Sequence, residues 1–439
     1  MNETTELDSP RWKWNELFRG DQENASFNAC VGNNGAPDIY YYADGYAESV
    51  DLLIEGITER RGTLDTLIYP ICFSLRHAVE LTIKGQIQDL IELAKLRKYR
   101  DTANINVEKV LNKHDIKDLW AFFSKHAIAN DRRYKELISA SDTLIGCIAE
   151  TDPTGQTFRY SYSNDAQKHL TDVSLINVLV LREQFKLLYR SLEKVRTLTG
   201  WLSREYRTGT FTKSLNREDL MAIAKKLPPH HLWSNSSSGF DDVRLSIKSD
   251  YSIGSAELTE AIDKIRACRD MARQVGISVS IPGLSYDDLV ALNDFWKQAW
   301  NRDVLESKLR DDIYGSEEVR MQPVIMTEVV QKESQAKLNF AISVSNFQSW
   351  ATEAKLAGLH ALMESGFYDF CEDHDRRYAF YETEMAEIFA QSSPDRIDKV
   401  SEIWSFTVGR PYYPLRVIEK LKLLGFYDEA SSLAENLFS

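Results

Sequence analysis

The residues able to do chemistry are concentrated in one apolar stretch, Phe73-Ser74-Leu75-Arg76-His77-Ala78-Val79-Glu80-Leu81-Thr82-Ile83-Lys84. Arg76, Glu80 and Lys84 stand four residues apart, so on a helix each reaches the next, with the glutamate ahead of the lysine in the favourable order. Two readings follow. One is a salt-bridge ladder. In the other, Arg76 or Lys84 holds a phosphate while His77 and Glu80 handle protons, because arginine grips phosphate with paired donors and histidine exchanges protons near neutral pH.

Further candidates lie at element ends. The segment Lys113-His114-Asp115-Ile116-Lys117-Asp118-Leu119-Trp120 reads as a helix start, with Asp115 as N-cap and Asp118 favouring the first turn, which leaves His114 just outside. It is either a loop histidine serving a backbone group or, together with Arg159, a group that converges on the charged stripe. Arg182, Lys186, Arg190 and Lys194 recur every four residues, and Arg182 to Arg207 carries seven Lys or Arg against three Asp or Glu. That stripe is either a solvated face or a track for an RNA backbone. His230-His231 lacks a third ligand at metal spacing, and Cys371-Glu372-Asp373-His374 is a weak cluster, so no metal site is assigned. With no glycine-rich phosphate loop, Gly-x-Ser-x-Gly elbow or kinase signature, no cofactor is expected.

These side chains need elements to position them. In the segment from Thr63 to about Arg100, Ile68, Cys72, Leu75, Val79, Ile83 and Leu90 fall on one apolar arc at helical period, and Arg76, Glu80, Lys84 and His77 fill the adjoining arc, at the edge of a core. Helical blocks also run from Asp38 to about Arg60, from Asp115 to Glu150 with a break near Asn130, and from Thr171 to Gly200 or beyond. Asp152-Pro153-Thr154-Gly155 is a turn, and the alternation in Thr157-Phe158-Arg159-Tyr160-Ser161-Tyr162 suggests a short extended piece.

At 439 residues the chain exceeds the size of one hydrophobic core, so at least two domains are expected. We expect an irregular arm over 1–37, with Trp12 and Trp14 pinning it down, a helical bundle over 38–209, and a second, mostly helical domain over 210–439 after the loop residues near Thr210. Helices are expected over Ser255 to Val275, Ser285 to Asn301 and Ser345 to Gly366, with a strand or two near Asp242 to Lys248 and Leu338 to Val344. From Tyr413 to Leu437 an apolar face of Leu415, Ile418, Leu421, Leu424 and Phe426 suits packing, within the domain or against a partner protein. No repeat or low-complexity tract points to a solenoid or propeller.

Composition narrows the function classes. No apolar run is long enough to cross a bilayer, and the acidic N-terminus lacks a secretory core, so a cytoplasmic location is expected. The five cysteines are scattered, with no paired spacing, which argues against structural disulfides and a cysteine metal site. A formal charge of −13 argues against wrapping a long duplex by charge alone and leaves room for a local basic groove.

Taken together, the Tyr-rich first helix with Gly45-Tyr46, the Tyr69-Pro70-Ile71 segment, the Arg76-His77-x-x-Glu80-Leu81-x-x-Lys84 core, the His114-Asp115 helix start and Phe158-Arg159-Tyr160 resemble the HEPN superfamily in its broad sense, over roughly Asp38 to Tyr206. The resemblance implies a four-helix up-and-down bundle that commonly homodimerises and, in many members, acts as a metal-independent ribonuclease in bacterial toxin, abortive-infection and antiphage systems. The family signature, an Arg followed by four to six residues and then His, is absent: none of the eight histidines has an arginine at that spacing. Either Arg76, His77, Glu80, Lys84, His114 and Arg159 rebuild an equivalent site, or the bundle is a non-catalytic module that binds RNA, a nucleotide or a protein partner.

Overall fold

The computed structural model describes residues 17–162, 169–235, 239–300, 323–364 and 369–438. Trp12, Trp14, Asn301, Gly366 and the centre of the 234–239 loop lie outside them. The described residues form eighteen α-helices and a few 3-10 turns with no sheet, so the fold is mainly α. None of these helices is long and apolar enough to cross a membrane. The chain divides into two compact units, Met1–Ser203 and Arg204–Ser439. The division falls ahead of the turn near Thr210, because Arg204, still helical, already pairs with Asp369 at 2.6 Å.

In the first unit the arm from Leu17 to Pro37 is irregular apart from two 3-10 turns. It leads into α1 (Ile39–Thr58), whose N-cap Asp38 accepts from the Tyr41 backbone amide. Then come α2 (Leu64–Leu96), two short helices, α3 (Arg100–Ala103) and α4 (Val107–Leu111), then α5 (Ile116–Asn130), α6 (Tyr134–Thr151) and α7 (Val178–Arg207). Helix α2 is the axis of this bundle. Leu75, Val79, Ile83, Ile87, Leu90 and Leu93 are buried along it, and Gly85 lets α1 lie close, since a Cβ there would come within 2.7 Å of the Tyr40 ring. Burial of so many apolar groups is the main stabilising term, and sparse polar contacts fix the neighbours. Gln86 Nε2 donates to the Leu192 carbonyl at 2.8 Å, Trp120 Nε1 to Asp142 at 2.7 Å, and the Tyr134 and Thr199 hydroxyls meet at 2.8 Å.

In the piece expected to be extended over Thr157 to Tyr162, Thr157 to Arg159 form a turn and only Tyr162 takes a bridge geometry. Asp152 Oδ1 accepts the Thr157 amide and the Arg159 and Tyr160 amides reach back to the Gln156 carbonyl, so local bonds use up the groups a strand would need.

The second unit holds two apolar cores. One gathers α8 (Arg217–Lys226), α9 (Phe240–Tyr251), α10 (Ser255–Ala267) and α11 (Arg269–Gln274). The other gathers α12 (Tyr286–Ala299), α13 (Pro323–Trp350), α14 (Glu353–Glu364), α15 (Cys371–Phe389), α16 (Ser393–Phe406), α17 (Tyr413–Leu423) and α18 (Tyr427–Phe438). Both expected strands are helical. Val243, Leu245 and Ile247 alternate in sequence, but Ile247 is buried while Leu245 is exposed; the 340s likewise turn Ser343 and Phe347 inward and Phe340 and Ile342 outward. Spacing of four residues overrode spacing of two. The helices expected over Ser255 to Val275 and Ser345 to Gly366 are each broken, at Cys268 and at Ala351-Thr352. Of the expected apolar face, Leu421, Leu424 and Phe426 are buried and Ile418 packs against the same core, whereas Leu415 is exposed and α17 turns Tyr413, Pro414 and Val417 inward in its place.

Candidate functional site

Because α2 is covered on nearly all sides, its charged stripe lies inside the bundle and not at the edge of the core. Arg76, Glu80 and Lys84 are buried. Glu80 is the hub: one carboxylate oxygen meets Arg76 Nη1, and the other lies 2.8 Å from Lys84 Nζ and 3.0 Å from His114 Nδ1. His77 Nδ1 stands 3.9 Å away. Burial, the largest single influence on this carboxyl, pushes its pKa up, but His77, Lys84 and Arg76 together more than offset it and hold it well below the usual carboxylate range. Glu80 is therefore a carboxylate that only accepts, which places the His114 hydrogen on Nδ1 and leaves Nε2 facing away.

Arg76 ties three chain segments together. Its Nε donates to the Asp152 carbonyl at 3.1 Å, and its Nη2 donates to the carbonyls of His114 at 2.6 Å and Pro153 at 2.8 Å. A phosphate would have to displace these partners, so the guanidinium is committed to holding the three segments together. The turn after α6 fits around it. Gly155 has φ +77° and a Cβ there would sit 3.0 Å from Arg76 Nη1, so both backbone and space require glycine. Asp115 caps α5 by accepting the amides of Lys117 and Asp118, and the Ile116 amide donates to the Pro153 carbonyl, so His114 is held by local sequence and tertiary contacts alike.

His77 and Arg159 reach the same surface by another route. The His77 ring packs edge-on against Tyr46 at 4.6 Å and stacks on Phe73 at 5.5 Å. Arg159 lies over Phe73 at 5.4 Å while its Nε donates to the Gly155 carbonyl at 2.6 Å. The six residues singled out from the sequence therefore lie around one carboxylate and one aromatic cluster. Two are accessible imidazoles: the His114 side chain is 67% exposed and that of His77 28%. Sequence reasoning missed the positioning role of Asp152, Pro153 and Gly155, although their Asp-Pro-Thr-Gly run signals a turn. Burial, then the charge of Asp152, push the Cys72 thiol up to about 12, which makes it a packing residue and not a nucleophile. Beside the site, Tyr41, Tyr42, Tyr46, Val31 and Leu52 line an open, mostly apolar groove of about 700 Å³.

The basic stripe on α7 is partly spoken for. Arg182 pairs with Asp51 at 2.5 Å and Glu55 at 3.1 Å, and Lys186 lies 3.5 Å from Asp51. These pairs join α7 to α1, and a phosphate would have to compete with fixed carboxylates. Arg190 and Lys194 are exposed. In the second unit, His230 packs on Trp233 at 4.7 Å, and His374 Nδ1 faces Arg269 at 3.2 Å and Asp375 at 3.4 Å.

Replacing Gly155 by Ala is expected to destabilise the first unit by roughly 1–3 kcal/mol through the left-handed backbone and the Arg76 contact. Urea unfolding followed by tryptophan fluorescence measures it; an unchanged midpoint would remove the requirement for glycine. No protein-family model, curated protein or solved structure matches this chain.

Proposed function

We propose that residues 38–209 are a HEPN-like bundle acting as a metal-independent endoribonuclease in a bacterial antiphage, abortive-infection or toxin-type response. The observation that carries this reading is an accessible His114 imidazole bonded through Nδ1 to a buried carboxylate, with a second imidazole, His77, beside the same carboxylate. Such a pair supplies the base and the acid that RNA cleavage needs. One imidazole takes the proton of the 2′-hydroxyl as its oxygen attacks the neighbouring phosphorus, and the other protonates the departing 5′-oxygen. Glu80 orients His114 through the 3.0 Å contact to Nδ1, while Lys84 and Arg159 add positive charge toward the phosphate. A cytoplasmic homodimer fits this reading, with a second copy covering the exposed Tyr41, Tyr42 and Tyr69.

Purified protein is expected to cleave single-stranded RNA in EDTA, to leave DNA intact and to yield 2′,3′-cyclic phosphate ends. Cleavage abolished by EDTA, or no cleavage of any RNA, would overturn the assignment. Light scattering at micromolar concentration tests the dimer, and a monomeric mass counts against it. A second reading, a non-catalytic module that regulates a protein partner, is favoured by Phe406, Tyr412, Leu415, Leu423 and Tyr427, large apolar side chains left exposed between Phe406 and Tyr427.

A further inference from the structure

The second unit contains a buried thiol pair that no part of this mechanism uses. Cys268 and Cys371 are separated by 103 residues, yet their sulfurs lie 3.7 Å apart. Both are free and almost wholly buried. Cys268 occupies the break between α10 and α11, where the backbone leaves helical geometry, and Cys371 is the first residue of α15. Each sulfur therefore sits at a helix terminus, where small backbone adjustments are easier than in mid-helix.

The surroundings of the pair are polar and specific. Arg217 Nη2 donates toward Cys268 Sγ at 3.3 Å and stands 3.9 Å from Cys371 Sγ, while also reaching Asp270 at 3.2 Å. Its Nη1 pairs with Glu372 at 2.5 Å, and the Thr210 hydroxyl donates to the same carboxylate. Cys268, Asp270 and Cys371 could in principle gather a metal ion. The guanidinium already fills the space between the Cys268 sulfur and the Asp270 carboxylate, so an added cation would have to expel a buried Arg217 from its partners. A guanidinium beside two sulfurs favours a thiolate instead.

We propose that Cys268 and Cys371 are a reversible dithiol/disulfide site, oxidised by hydrogen peroxide, that staples the two cores of the second unit. The Cys268 thiolate attacks one peroxide oxygen, the O–O bond breaks, and the other oxygen leaves as hydroxide, giving a sulfenic acid. The Cys371 sulfur then attacks the sulfenic sulfur, the S–O bond breaks, and the thiol proton leaves with the hydroxyl as water. Two thiols and one peroxide yield one disulfide and two waters, with two electrons passing from the sulfurs to the oxygens. The hydrogen bond from Cys371, and with it Arg217, pulls the Cys268 thiol below its usual range; the same bond and burial hold Cys371 protonated, which suits a nucleophile and its resolving partner. Burial excludes a protein oxidoreductase and admits a small neutral oxidant. The consequence is mechanical. Cys371 packs in the core of α8 to α11, whereas Tyr381 and Met385 of the same helix pack in the core of α12 to α18, so a bond to Cys268 fastens the start of α15 to the first core.

The test treats the full chain with millimolar hydrogen peroxide, blocks remaining thiols, and maps it by non-reducing digestion and mass spectrometry. A Cys268 to Cys371 cross-linked peptide, reversed by dithiothreitol, is expected, while the exposed Cys30 and Cys147 remain alkylatable. Closing a loop of this length should raise the melting temperature of the second unit by roughly 5 °C or more. A Cys30→Ser/Cys147→Ser variant should behave as wild type, and Cys268→Ser should lose both the cross-link and the shift. Wild-type protein in which both cysteines stay alkylatable after unfolding, or stop at separate sulfinic acids, would overturn the proposal. So would stoichiometric zinc in the purified protein.

Discussion

Glu80→Ala is expected to cost the first unit about 3–5 kcal/mol, enough to leave a bundle of this size largely unfolded at ambient temperature, because it strands two buried cations. The Arg76 and Lys84 side chains are 3% and 9% exposed, so water cannot replace the lost carboxylate. Arg76→Ala should fall in the same range, since it leaves Glu80 short of a partner and frees the carbonyls of Asp152, Pro153 and His114. Chemical denaturation followed by circular dichroism measures both, and a loss under 1 kcal/mol would show that the network is solvated. The pH dependence has a definite sign. The folded-state pKa of Glu80 is depressed, so its contribution is complete above the unfolded value of about 4.3 and drains away as falling pH protonates the folded carboxylate. Wild type should therefore lose stability in acid more steeply than Glu80→Gln, which has no such carboxylate to titrate.

His114→Ala separates chemistry from stability. Its side chain is largely exposed, and the Arg76 bond it supports runs through its backbone carbonyl, which the substitution keeps. The melting temperature should stay within a few degrees of wild type. RNA cleavage should fall by roughly 10²–10⁴-fold, the range supplied by a general acid or base. His77→Ala should give a comparable loss of rate with a larger loss of stability, because its ring packs on Tyr46 and Phe73. Unchanged cleavage in His114→Ala would remove it from the reaction and transfer the weight to the partner-binding reading.

What the sequence determined by itself was local. The period of α2, the Asp115 cap, the break near Asn130 and the turn after α6 are set by side chains within a few residues of one another, and the same near-neighbour physics places Arg76, Glu80 and Lys84 in register. That register could not say whether the stripe faced water or a core. Only the packing of α1, α3, α4 and α5 and of the turn after α6 around α2 decided it, turning a ladder that would be weak on a surface into a buried network. Tertiary pairing likewise decided that Arg182 and Lys186 face Asp51 and Glu55, carboxylates more than a hundred residues away, although the spacing of the stripe suited an RNA track equally well. The two strands expected in the second unit failed for a related reason: alternation alone does not say which face is covered, and packing turned Ile247 inward in the first and Ser343 with Phe347 in the second, leaving Leu245, Leu338, Phe340 and Ile342 exposed. Cys268 and Cys371 mark the limit. Nothing local links two cysteines so far apart in sequence, and their sulfurs meet because α10, α11 and α15 converge on one buried arginine.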